Sequence, residues 1–277
     1  MATQPLTLLQ AADELGVHYM TAYRYVRTGR LPANRVGGTW QITPADLELV
    51  RRGGPGVRRP RPTGPVPTRS RLLARLVAGD ETGAWGLLEA ALASDMTSEA
   101  VLLELVAPTL RSIGNRWERG ELSIADEHRA SAVAARLISR LGARFARRGV
   151  KRGTVILAAP SGELHAAPVA ITANLLRWRG FDVVELGADT PAEALAETVV
   201  AQADLVAVGL ACTTDGSVRA AGRAIATVRR SSPDIPTLLG GAAISDAGHA
   251  RKLGADMFTG GQADEVVRAA EGLTASK

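Results

Sequence analysis

The stretch TVILAAPSGELHAAP, residues 154–168, decides how the second half of this chain is read. An unbroken apolar run leads into Ser161-Gly162, and a helical pattern leaves at Ala166, so the segment predicts strand, loop and helix in succession. Four more strand patterns follow: FDVVELG, DLVAVGLAC, PTLLGG and ADMFTG, each trailed by a helical one. Regular alternation of this kind means a parallel, doubly wound α/β sheet over residues 150–277, Rossmann- or flavodoxin-like. Ligands of such sheets bind at the carboxyl ends of the strands. Glu163, His165, Thr213 to Ser217, Gly240-Gly241 and Gly260-Gly261 all fall there.

Upstream, residues 71–149 hold four helical patterns cut at Gly79-Asp80, Asp95-Met96-Thr97 and Gly120. Short loops make consecutive helices antiparallel neighbours, so a four-helix bundle is expected. The third helix aligns Leu102, Leu105, Val106, Thr109, Leu110, Ile113 and Trp117. Ser123 is placed to cap the fourth, with Asp126 and Glu127 in its first turn. The hairpin NRWERGELSIADEHRAS, residues 115–131, brings Trp117, Glu127 and His128 to one end of the bundle. Spacing alone favours a plainer reading: a core tryptophan, a dipole-favoured glutamate and a surface histidine.

Residues 1–53 form a compact head. A helix at about 7–15, a turn at Gly16 and a second helix at about 18–28 precede RVGGTWQI, which reads as two short strands. The second helix buries Met20, Ala22, Tyr25 and Val26 and leaves Thr21, Arg24 and Arg27 on the opposite face. Helix, turn, basic helix and wing suit insertion into a DNA major groove, although a solvated basic face would look the same in isolation. The segment 54–70, rich in Arg, Pro and Gly and without an acid, is expected to be an extended linker. The net charge of +5 favours a polyanionic partner.

Familiar occupants of the α/β fold can be set aside. The loop after the first strand lacks the G-x-G-x-x-G of a dinucleotide site. The third strand ends Ala211-Cys212, where a receiver domain would want an aspartate. One cysteine and four histidines make a Cys-based metal cluster implausible. A lone His165 is a poor site for a bare ion, but it suits a metal that brings its own equatorial ligands, as a tetrapyrrole-type cofactor does. Glu163 would then bond the other ring nitrogen. A solvated loop histidine that caps a helix is the plainer alternative.

The motifs resemble known families. TAYRYVRTGRLPANRVGGTWQI, residues 21–42, resembles the winged helix-turn-helix of the MerR and excisionase families. That resemblance puts Thr21, Arg24 and Arg27 in the groove, with Arg35 and Trp40 of the wing near the backbone. ELHAAP, GLACTTDGS and LLGG are similar to the D/E-x-H-x-x-G, S-x-L and G-G motifs of the cobalamin-binding domain. By that similarity His165 is the lower cobalt ligand, and Glu163, Thr213, Ser217, Gly240, Gly241 and Gly260 border the cofactor. Pro168 replaces the motif glycine, and Ala211 and Thr213 stand at the Ser and Leu positions.

Head, bundle and cobalamin domain together are similar to the CarH/LitR family of B12-dependent photoreceptor repressors. The resemblance implies adenosylcobalamin as cofactor, with Trp117, Glu127 and His128 over its adenosyl group. It implies a tetramer that holds operator DNA in the dark and comes apart in light. It further implies a regulator rather than an enzyme, located in the cytoplasm. The best-known light-sensing members carry a histidine directly after the hairpin tryptophan; here that position is Glu118. A light-independent cobalamin sensor and a corrinoid methyl-carrier protein are the rival readings.

Overall fold

The structure is a computed structural model, and it describes residues 5–17, 19–27, 31–36, 39–51 and 68–275. It divides into two units, Met1–Pro65 and Val66–Lys277.

The head contains α1 (Leu8–Leu15), α2 (Tyr19–Arg27) and α3 (Pro44–Arg51) with three short strands, β1 (Leu6–Thr7), β2 (Asn34–Val36) and β3 (Thr39–Ile42). The strands form an antiparallel sheet in the order β1-β3-β2, with Leu6 opposite Ile42 and Asn34 opposite Gln41. The wing thus has a third strand that the sequence pattern did not announce, because two residues are too few to show alternation. Thr7 and Gln10 cap the start of α1 reciprocally, and Gly16 ends it in the left-handed region at φ 65°. Leu8, Ala11, Ala12, Ala22, Leu31, Ile42 and Leu47 make its core.

The second unit opens with helix α4 (Arg69–Val77), whose N-cap Thr68 accepts from the amide of Arg71. The helix therefore starts inside the stretch read as linker; residues 54–67 lie outside the described residues. Helix α5 (Glu81–Ala93) follows, capped by Asp80. The third helix runs through α6 (Ser98–Ala100), a π-helical segment (Val101–Val106) and α7 (Ala107–Glu118), all junction residues being right-handed helical. Pro108 accounts for the π segment. In an α-helix its missing N–H would leave the carbonyl of Glu104 without a donor, and its ring would collide with that carbonyl. The wider turn relieves both, and the amide of Ala107 bonds Leu102 O, five residues back. Helix α8 (Ile124–Gly142) begins with a capping box between Ser123 and Asp126.

The α/β half has strands β4 (Thr154–Pro160), β5 (Asp182–Thr190), β6 (Leu205–Ala211), β7 (Thr237–Gly240) and β8 (Met257–Phe258). All pairs are parallel, in the order β5-β4-β6-β7-β8. Helices α9 (Ala167–Trp178), α10 (Ala192–Ala201), α11 (Val218–Ser231), α12 (Ala247–Lys252) and α13 (Ala263–Ala275) complete it. Every residue of β4 is buried, and alternate ones face opposite ways. Val155, Leu157 and Ala159 join α9, α13 and the bundle in one core, while Ile156 and Ala158 pack with α10 and α11 in another. Among the described residues no helix is long and apolar enough to cross a membrane.

Candidate cofactor site

The chain direction across the sheet reverses between β4 and β6, so the loops that leave these two strands lie side by side. The β4 loop turns through Gly162 at φ 83° and is tied to the end of β5 by Asp189. Asp189 Oδ1 accepts the Gly162 amide at 2.8 Å, and the Asp189 amide donates to Glu163 O at 2.9 Å. Asp189 itself takes the left-handed region at φ 52°.

This turn buries Glu163 completely and leaves the His165 side chain 53% exposed. Glu163 Oε1 is 2.5 Å from His165 Nδ1 and 3.2 Å from the His165 amide. Its Oε2 accepts the backbone amides of Thr213 at 2.6 Å and Thr214 at 2.9 Å. The hydroxyls of Thr214 and Ser217 stand 3.2 and 3.1 Å from the same oxygen. Burial alone would raise the Glu163 pKa. The bonds from His165 and Thr213 outweigh it and hold the carboxyl well below the usual carboxylate range.

An ionised carboxylate only accepts, so His165 Nδ1 carries the shared hydrogen and the neutral ring presents a lone pair at Nε2. Thr213 Oγ1 lies 3.1 Å from the same Nδ1. The bond to Glu163 raises the His165 pKa, burial opposes it, and the charges of Glu163 and Glu127 add to the rise. Glu127 stands in the first turn of α8, so that end of the bundle lies within electrostatic reach of His165. Glu127 Oε1 accepts from Ser131 at 2.6 Å, and its Oε2 is 2.8 Å from His128 Nδ1. Trp117, near the end of α7, is 44% exposed, unusual for so large an apolar side chain.

Several residues stand differently from expectation. Ser217 is wholly buried and turned toward Glu163, with Cys212 Sγ 3.1 Å behind it. It supports the carboxylate and does not line an open surface. The glycines at 240, 241 and 260 give room to neighbouring protein atoms, backbone and side chain. A Cβ on Gly240 would meet Thr259 Oγ1 at 2.5 Å, one on Gly241 would fall on the Cys212 backbone, and one on Gly260 would fall on the Glu265 carboxylate. The Cys212 amide donates to Gly240 O and the Gly241 amide to Gly260 O, both at 2.8 Å, which stitches three strand ends into one floor. Asp189 was missed by sequence reasoning, and Thr214 was included only within the range Thr213 to Ser217, without a role of its own. The TT pair beside the motif position was a usable signal for Thr214, whereas Asp189 acts through backbone conformation and left none.

In the head, Thr21 is half-buried on α2 and Trp40 packs partly against the head core, paired with Arg35 across β2 and β3. The side chains of Arg24, Arg27 and Arg35 lie outside the described residues.

The donor set can be tested against the cofactor. Among the described residues no group of three His, Cys, Asp or Glu is placed to hold a metal ion. One exposed imidazole, its tautomer fixed from behind, fits a metal that arrives with four equatorial nitrogens. Comparison with known proteins agrees. Residues 68–141 and 153–271 match two B12 binding domain families, and residues 6–53 match a helix-turn-helix domain. The HTH-type transcriptional repressor CarH of Myxococcus xanthus is 35% identical over 178 residues, 63% of this chain and 58% of CarH. Over those residues the chain is similar to CarH. The match spans somewhat more than half the length of that relative. The dimethylamine corrinoid protein of Methanosarcina barkeri is 25% identical over 173 residues, 60% of this chain and 79% of that protein. The monomethylamine corrinoid protein of the same organism shares the fold, with a TM-score of 0.63 at 18% identity over 72% of this chain and 94% of its own.

Proposed function

We propose that this chain is a transcriptional repressor that binds DNA through its head and takes adenosylcobalamin at the switch of its sheet, with light as its signal. The observation that carries the reading is His165, with Nδ1 held by a buried carboxylate and its side chain half exposed. His165 Nε2 would hold cobalt from below, and Glu163 would keep that nitrogen basic and correctly turned. Trp117, Glu127 and His128 would take the upper face from the end of the bundle. When bound, adenosylcobalamin supplies a cobalt–carbon bond that light can break. Trp117 and Glu127 would contact the adenosyl group, so its loss would release the bundle end they occupy. A tetramer in the dark would multiply weak heads into tight operator binding, and its dissociation would release the DNA.

The decisive experiment is the purified chain with adenosylcobalamin, kept dark and then illuminated, followed by absorbance, solution mass and operator retention. A dark tetramer that retains DNA and a smaller illuminated species that does not are expected. Cofactor binding with no change of mass in light would leave a light-independent sensor. Cofactor binding with no affinity for any DNA would favour a corrinoid methyl carrier.

A further inference from the structure

Three observations meet on the third helix of the bundle. The first is the π segment, Val101–Val106, which Pro108 imposes. The second is the fate of the carbonyl that Pro108 cannot serve: Arg69 Nε donates to Glu104 O at 2.6 Å. Arg69 is the first residue of α4, immediately after the basic linker. The third is the anchorage of the helix ahead of the π turn. At its start, Arg179 at the end of α9 donates to Glu99 Oε1 at 3.0 Å, and also lies 3.6 Å from Glu271 of α13. At its end stands Trp117. Thr109, wholly buried just beyond the π turn, donates its hydroxyl to Leu105 O at 2.6 Å and fastens the new register.

A π turn holds one residue more than an α turn. Relative to an unbroken helix started at Ser98, everything after Val106 is therefore displaced by about 100° around the axis and about 1.5 Å along it. The start of the helix is pinned to the α/β half through Glu99, so this offset fixes where Trp117 stands with respect to His165. We propose that Pro108 and Arg69 are positioning residues for Trp117. Pro108 imposes the offset, and Arg69 stabilises it by satisfying the carbonyl it leaves over. The same contact ties the register of α7 to the point where the chain from the head enters the bundle. The proposal rests on the reading of Trp117 as the residue over the upper face of the cofactor.

The test uses full-length protein with Pro108→Ala, Arg69→Ala and Arg69→Lys. Alanine at 108 restores an N–H and favours an unbroken α-helix, so this variant should fold. Two readouts are taken. One, on the apo protein, is the acrylamide quenching of Trp117, obtained as the difference between each variant and the same variant carrying Trp117→Phe. The other is the ratio of affinities for adenosylcobalamin and hydroxocobalamin. Pro108→Ala and Arg69→Ala should both change the quenching and lower the ratio by up to about tenfold, the scale of one aromatic contact. Arg69→Lys, still a donor, should recover much of both. Unchanged quenching and an unchanged ratio in Pro108→Ala would overturn the proposal. Changed quenching, with a ratio that Trp117→Phe itself does not move, would uphold the positioning and overturn the upper-face reading of Trp117.

Discussion

The carboxylate of Glu163, fully buried, lies 2.6 Å from the backbone amide of Thr213, across the point where strand order reverses. Two strands that are distant in sequence are thereby fastened through the residue that orients the imidazole. Glu163→Gln would set an amide NH₂ against N–H donors at one of these oxygens. Leaving buried donors unmet costs about 1–3 kcal/mol. We expect the variant to unfold at lower urea and to bind cobalamin 10- to 100-fold more weakly, the usual effect of losing an outer-shell partner of a ligating histidine. Chemical denaturation and cofactor titration check this, and binding at full strength would show that His165 needs no such support.

The head should be separable from cofactor chemistry. Removal of residues 1–53 should abolish operator binding and leave the cobalamin spectrum intact. Arg24→Ala should cost about 1–3 kcal/mol if its guanidinium reads a base edge, and the loss should depend on operator sequence. A uniform loss across sequences, with a shallower salt dependence, would assign Arg24 to phosphate instead.

Glu118 occupies the position next to Trp117 where light-sensing members of the resembling family carry histidine. A carboxylate is a weaker partner than imidazole for cobalt(III). We expect the illuminated protein to show no bis-histidine spectrum and to release its corrin readily. His128 is the remaining imidazole at that end of the bundle, 72% exposed and bonded to Glu127. If a bis-histidine spectrum does form, His128→Ala should remove it.

Asp256, before β8, joins Arg229 at 2.8 Å and both the amide and the hydroxyl of Thr237 at 2.8 Å. Burial would raise its pKa, but the bonds from Arg229 and Thr237 prevail and lower it. A depressed folded-state pKa contributes stability above the unfolded value near 3.8, and this is lost as pH falls through the folded value. Asp256→Asn should therefore destabilise the protein at neutral pH by about 1 kcal/mol, discounted for a side chain 38% exposed. The gap between wild type and variant should close on acidification. Urea midpoints at neutral and acid pH measure it.

What could be read in advance followed from periodicity and punctuation. Alternating strands and helices disclosed the doubly wound sheet, and the cuts at Gly79, Asp95 and Gly120 disclosed the bundle. The pairing of Glu163 with His165 was legible because a single residue separates them on one loop. The support behind Glu163 was not, since Thr214 and Ser217 reach it only through the strand crossover. Gly240 and Gly241 were recognisable as special positions, but sequence cannot say whether a missing side chain admits a ligand or a neighbouring carbonyl. The π turn was invisible for a related reason. Leu102, Leu105 and Val106 fit an ordinary helical stripe, and the stripe does not register that Pro108 rewinds the helix interior.

The core that runs from Leu72 of α4 to Ala270 of α13 without a break has a consequence for how the chain folds. The interior of the bundle, built on Leu76, Leu88, Leu102 and Leu137, is continuous with that of β4, α9 and α13. Calorimetry of residues 68–275 should record one cooperative transition, and a fragment ending at residue 149 should remain molten, binding a hydrophobic dye. The head, with its own small core, should melt separately. In folding terms the chain is two units, and the seam between bundle and sheet is not one of its joints.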